Sequence, residues 1–275
     1  MKKIVGLLIV AGMLLTSSTG FATNKYHNLE NEKGEVVYQT KSLKEMPVVK
    51  YSKDETKRMS KSHDLADQLL KNGSAALFYV VNNNPKGETD LRFKPFVFTD
   101  VAALRKKMKG QPLIISDKLI GKYTFKSATV FFDPITVLNP PTVKEQANIA
   151  DKLRKEAKKS KKEYAMMPVE LSDRFAHLTI QYAHGDEQIS VSIMNHITTS
   201  IPTTYVDDQM KIEQEKIDGK KTDFLYTEYK ENELKDIVWV AQLPDKKAKY
   251  VYSVRSSAPK ITKKNLVKIA ESYMK

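Results

Sequence analysis

Cysteine is absent from the 275 residues. No disulfide can staple this chain, no thiolate can hold a metal or attack a substrate, and no lipid can be attached through a cysteine. Glycine is scarce as well, at ten residues. None of them forms a phosphate loop, a dinucleotide fingerprint or a hydrolase elbow, and no His-Glu-x-x-His is present. Negative charge is the minority sign: 33 Asp and Glu stand against 46 Lys and Arg, for a net charge of +13. Beyond the first residues, no apolar run approaches the ~20 needed to cross a bilayer.

The first 22 residues have the layout of an export signal. Lys2 and Lys3 supply a positive start, Ile4 to Leu15 is apolar, and Gly20-Phe21-Ala22 places small residues at the two cleavage positions. Cleavage is expected after Ala22; retention as an uncleaved anchor is the alternative. Removal would leave 253 residues with a net charge of +11, since Lys2 and Lys3 are the only charges lost. The lysine-rich signal and the Cys-free mature chain fit a Gram-positive exported protein, secreted or held at the wall. Outside the cytoplasm such an excess of positive charge suits anionic wall polymers or anionic lipid surfaces rather than nucleic acid, and it also serves solubility.

Residues 23–50 read as a lead-in with one short strand at Glu35 to Gln39. Ser52 then caps a helix with Asp54 and Glu55 in its first turn, stopped at Asn72-Gly73. Ala75 to Val81 is a nearly continuous apolar run, as expected of a strand covered on both faces. Leu91 to Phe98 returns, with Pro95 placing it at an edge or bulge. Thr99-Asp100 opens a short helix, and strands are predicted at Leu113 to Ile115 and Tyr123 to Phe132.

With His184-Gly185 as a two-residue turn, Ile180 faces Ile189, Leu178 faces Val191 and Ala176 faces Ile193 on one apolar side. Two further hairpins are predicted, turning at Asp218-Gly219 and Pro244-Asp245. Thr262 then caps a last helix whose Leu266, Ile269, Ala270 and Tyr273 share one face, which needs a sheet to cover. The fold class is therefore α+β: an antiparallel, curved sheet of hairpins with packed helices, the last helix among them. Residues 51–275 form this domain, divisible into 51–132 and 172–275 around a connector and basic helix at 133–171.

The segment from Val143 to Tyr164 has the most unusual composition. A narrow stripe of Val143, Ala147, Ala150, Leu153 and Ala157 is surrounded by eight cationic and four acidic residues, a local net charge of +4. It lacks the bulky apolar face of a membrane-inserting helix. Lys155, Lys158, Lys159 and Lys162 are the candidate polyanion-binding residues; a solvated helix lying across a sheet is the other reading.

No chemistry stands out elsewhere. His177, His184 and His196 are close in sequence, but their hairpin positions do not bring three rings together, so no metal is expected. No carboxylate pair separates itself from the many surface acids, and no catalytic residue or cofactor is assigned. Tyr226, Tyr229, Tyr250 and Tyr252 with Trp239 suit either a ligand groove or ordinary sheet packing.

Two stretches resemble a domain of unknown function found in Firmicute exported and membrane-anchored proteins, some with anti-sigma-factor segments. One runs from Phe98-Thr99 to Val130 and includes Gln111-Pro112-Leu113-Ile114-Ile115 and Gly121-Lys122-Tyr123-Thr124-Phe125-Lys126-Ser127. The other joins the His177 to Ser192 hairpin to Ile217-Asp218-Gly219-Lys220, Val238-Trp239, Tyr250-Val251-Tyr252-Ser253 and the helix from Lys264 to Ser272. The connector and basic helix look like an insertion in that pattern. The resemblance implies a fold similar in outline to the half-barrels of lipoprotein carriers and envelope-stress regulators, and it carries over no catalytic residue. The expected function is an exported, non-enzymatic envelope protein that binds or regulates another component, with a wall polymer, a lipid surface or an envelope protein as partner. A carrier of an apolar or lipid-like ligand is the second reading and a secreted hydrolase the third.

Overall fold

The structure is a computed structural model that describes residues 26–196, 200–207, 210–216, 222–229, 233–242 and 249–274. The expected signal sequence and the Asp218-Gly219 and Pro244-Asp245 turns lie outside the described residues.

In chain order the elements begin with Asn28–Glu30 (β1), Val36–Ser42 (β2), Lys53–Leu69 (α1), Ser74–Val80 (β3), Asp90–Lys94 (β4), Phe96–Phe98 (β5) and Val101–Lys107 (α2). Lys118–Leu119 (β6), Tyr123–Pro134 (β7), Ile135–Leu138 (α3), Val143–Ser160 (α4), Tyr164–Val169 (β8), Leu171–His184 (β9) and Glu187–His196 (β10) follow. The chain ends with Thr203–Val206 (β11), Lys211–Lys216 (β12), Asp223–Tyr229 (β13), Leu234–Gln242 (β14), Lys249–Ser256 (β15) and Lys263–Ser272 (α5). The α+β class stands. Residues Leu113 to Ile115 form no strand; the short strand comes later, at β6.

The chain divides into two compact units. One takes the described residues of Met1–Pro47, Gln111–Lys126 and Ile180–Lys275, the other Val48–Gly110 and Ser127–Thr179.

In the first unit, which holds β9 from Ile180 and β7 as far as Lys126, the strand order is β12-β13-β14-β15-β10-β9-β7, with β6 pairing β7. A smaller sheet, β1-β2-β11, contains the one parallel pairing seen among the described strands, Thr203 beside Gln39. Alternation along β13 and β14 separates two cores. Leu225, Val238 and Val240 meet Leu29, Val37 and Tyr38, so the segment read as a lead-in supplies part of a core. On the other face α5 lies on β14 and β15 and buries Leu266, Ile269, Ala270 and Tyr273. Trp239 is fully buried there, stacked on Tyr252 at 4.9 Å.

The hairpin of β9 and β10 turns at Gly185-Asp186, not His184-Gly185. Gly185 has φ +59, as the first central position of a type II′ turn requires, and histidine is a poor occupant of that position. Gln181 accordingly bonds Ser190 at 3.1 Å, and Ile180 falls opposite Val191 rather than Ile189. The slip is two residues, so Ile180, Ile189 and Val191 keep their buried face.

In the second unit the order β4-β3-β8 makes a three-stranded sheet with a helix on each face. Leu65, Ala66 and Leu70 of the α1 side pack on Ala76, Phe78 and Val80. Leu153 and Ala157 of α4 pack on Tyr79 and Ala165. This two-sided cover is why β3 reads as a continuous apolar run. Pro168 sits on the edge strand β8, where its missing N–H costs no ladder bond. Pro95 marks the place where the chain leaves β4, paired with β3, for β5, paired with β7. Within β9, Phe175 is buried and Ala176 only partly so, because the alternation breaks between Phe175 and Leu178.

Candidate polyanion-docking surface

The candidate surface is the outer side of α4. Thr142 and Glu145 form a capping box: the Thr142 hydroxyl accepts from the Glu145 N–H at 3.3 Å, and Glu145 Oε2 accepts from the Thr142 N–H at 2.7 Å. The Thr142 hydroxyl also donates to Glu145 Oε2 at 2.7 Å, and this bond first, then that from the Thr142 N–H, holds the Glu145 carboxyl below its ordinary pKa. At the other end Lys161 has φ +53, its N–H bonds the Lys158 carbonyl and the Lys162 N–H bonds the Ala157 carbonyl. That is a Schellman termination with lysine where glycine is usual. The helix therefore stops at Ser160, and the expected continuation to Tyr164 is replaced by a turn into β8.

Only part of the expected stripe is used. Leu153 and Ala157 are buried and Ile149 and Ala150 pack beside them, whereas Val143 is 84% exposed and Ala147 is exposed. Lys155, Lys158 and Lys159 project from the face opposite Leu153 and are exposed. Lys162 is exposed too but lies past the turn, its ammonium 6.0 Å from the centre of the Tyr164 ring. The structure thus groups three of the four candidates on one helical face and sets the fourth just beyond its end.

The acids of the segment are mostly occupied. Glu145 is tied into the cap, Asp151 pairs with Arg154 at 2.8 Å, and Glu163 pairs with Lys61 of α1 at 3.6 Å. Among the described residues no acidic partner meets Lys144, Lys152, Lys155, Lys158 or Lys159. Lys144 and Lys152 thereby join the surface, and a helical wheel would have found them. The positions of Lys158 and Lys159 in the last turn also complement the negative end of the helix dipole.

The other candidate chemistries are absorbed by packing. His177 stacks on Phe131 with ring centres 6.3 Å apart, His184 meets the edge of Tyr123, and His196 Nε2 lies 2.8 Å from the Ser200 carbonyl oxygen. Among the described residues no group of three or more His, Asp or Glu is placed to hold a metal ion. Trp239, Tyr250 and Tyr252 are buried on the α5 side, while Tyr226 lies 5.0 Å under the Lys263 ammonium. A shallow, open depression of about 310 Å³ at the β12 edge is lined by Gln214, Glu215, Lys216 and Asp223, a polar set unsuited to an acyl chain. No described helix is long and apolar enough to cross a membrane.

Sequence reading missed the buried ionic contacts. Asp236, buried in β14, accepts from Arg255 Nε at 2.8 Å and from the Ser253 hydroxyl at 2.7 Å. Burial pushes its carboxyl above the ordinary carboxylate range, against the opposite pull of Arg255. Arg58 of α1 reaches Glu88 at 2.6 Å and Asp90 at 3.4 Å. The first set joins β14 to β15, and the second joins α1 to β4 and the segment before it.

Residues 161–272 match the family model described as a domain of unknown function, DUF4367, which is less than half of the chain. The match takes in β9, β10 and the C-terminal strands and helix that carry the second stretch of the resemblance. The first stretch, Phe98 to Val130, falls outside it, as does all of α4. No curated protein and no solved structure matches the chain.

Proposed function

We propose that this is an exported, non-enzymatic envelope protein of a Gram-positive cell that docks on an anionic component through α4. The observation that carries the reading is a helix whose apolar side is committed to β3 and β8 while its opposite side holds lysines without acidic partners. Among the described residues, ion pairing within the chain does not account for those charges. Cations concentrated on one exposed face attract a polyanion at range, and salt weakens that attraction because screening shortens to ~8 Å at physiological ionic strength. Lys2, Lys3, the apolar Ile4 to Leu15 and Ala22 supply the export half of the proposal.

Two measurements test it. Mass spectrometry of the protein recovered from culture medium and cell wall should find Thr23 at the N-terminus; an intact Met1 form confined to the membrane would contradict secretion. Purified residues 23–275 should co-sediment with isolated walls at low salt and release at high salt. Absence of sedimentation at low salt would remove the docking function.

A further inference from the structure

The charges on α4 do not lie in a single line. At about 100° per residue, and taking Leu153 as the inward direction, Arg154 falls near 100°, Lys158 near 140°, Lys155 near 200° and Lys152 near 260°. Arg154 is engaged by Asp151, so the cations without an acidic partner cover an arc of roughly 120° around the outside of the helix, from Lys158 to Lys152. They also recur along its length: Lys144 and Lys155 lie on nearly the same bearing about 16 Å apart, and the rise from Lys155 to Lys158 is about 4.5 Å.

A planar charged surface laid against a cylinder meets the middle of such an arc and not its two edges. A bilayer would also be gripped by a row of apolar side chains inserted beneath its headgroups, and α4 has no such row: Leu153 and Ala157 are buried against the sheet. Exposed Val143, at the first turn, is the one large apolar side chain left over. A flexible linear polymer, by contrast, follows the curvature and meets edge and centre alike.

We propose that α4 binds a linear phosphodiester polymer that wraps the helix, in preference to an anionic membrane surface. This rests on the docking function above and narrows its partner. A linear polyphosphate carries condensed counterions, and each one displaced by a lysine adds roughly 0.7–0.9 to the slope of log affinity against log salt. Every cation on the arc should therefore contribute to binding, including those at its edges.

The test uses purified residues 23–275, poly(glycerol phosphate) as the polymer and vesicles rich in phosphatidylglycerol as the flat surface. Two double variants are compared: K152Q/K158Q at the edges of the arc and K144Q/K155Q at its centre, with circular dichroism reporting that both stay folded. For the polymer, each variant should bind at least fivefold more weakly and lose roughly 1.5 from the salt slope. For vesicles, only the centre variant should lose affinity. If the edge variant binds the polymer as the parent does, or the parent prefers vesicles, wrapping is wrong while docking on an anion stands. If the parent binds neither probe at low salt, docking itself fails.

Discussion

Helices α4 and α5 both begin at a threonine whose hydroxyl accepts from the backbone three residues on, and both lie across a sheet. Their surroundings then diverge. Helix α5 is ten residues long and buries Leu266, Ile269 and Ala270, with Tyr273 just beyond its end. Its lysine at the first position, Lys263, is held by Glu213 and Glu215 of β12 above the Tyr226 ring. Helix α4 is eighteen residues long, buries Leu153 and Ala157, and leaves its lysines facing solvent. Charge near α5 holds elements of its own unit together, whereas among the described residues the α4 lysines meet no acid of another element. Cations that no acid engages are available for a partner.

The largest expected effects concern the buried faces. Leu266→Ala and Ile269→Ala should each destabilise the protein by about 3 kcal/mol in urea unfolding, because each leaves a cavity beneath α5. In α4 only Leu153→Ala should reach that size, and Ile149→Ala, at a partly covered position, should stay near 1 kcal/mol. Equal losses at Ile149 and Ile269 would remove the contrast in burial.

The helix ends differ by a smaller amount. Lys161 adopts the left-handed conformation that a side chain disfavours, while α5 ends at Tyr273 with φ −94. Lys161→Gly should therefore raise stability by about 0.5–1 kcal/mol, and Tyr273→Gly should lower it. A loss in the Lys161→Gly variant would show that the turn into β8 is not the Schellman geometry described.

Acid sharpens the electrostatic side of the comparison. The Glu213 carboxyl lies at about 2, held down first by Lys211 and then by Lys263. A depressed carboxylate contributes stability above its ordinary value, near 4.5, and loses it as pH falls toward 2. Glu213→Gln should flatten the decline in stability over that window when urea unfolding is followed at stepped pH. A decline as steep as the parent's would mean that the α5 contacts are no more structural than the lysines of α4.

Much of this architecture is legible in the residues, and the misses have physical causes. Ser52, Asp100 and Thr262 announce their helices because a short polar side chain just before an apolar period caps the free N–H groups. The hairpin of β9 and β10 is legible in face but not in register, since a two-residue slip keeps every side chain on its side. Gly185 takes a positive φ in either turn; what decides between them is that His184 stays in the strand without one. Strand β8 escaped because Met166, Met167 and Pro168 carry no strand signature; β3 recruits them by pairing. The lysines of the docking surface were visible as composition. What composition could not show is that the neighbouring acids are engaged elsewhere, because the Thr142 cap and the Arg154 pair depend on the helix being formed.

The central claim, that the α4 lysines serve a partner and not the fold, is tested most directly by one paired measurement on K155Q/K158Q/K159Q/K162Q. The account predicts urea unfolding within about 0.5 kcal/mol of the parent, as is usual for exposed positions, together with at least a tenfold loss of co-sedimentation with isolated walls at low salt. A variant that sediments as the parent does, or one that unfolds readily, would contradict it.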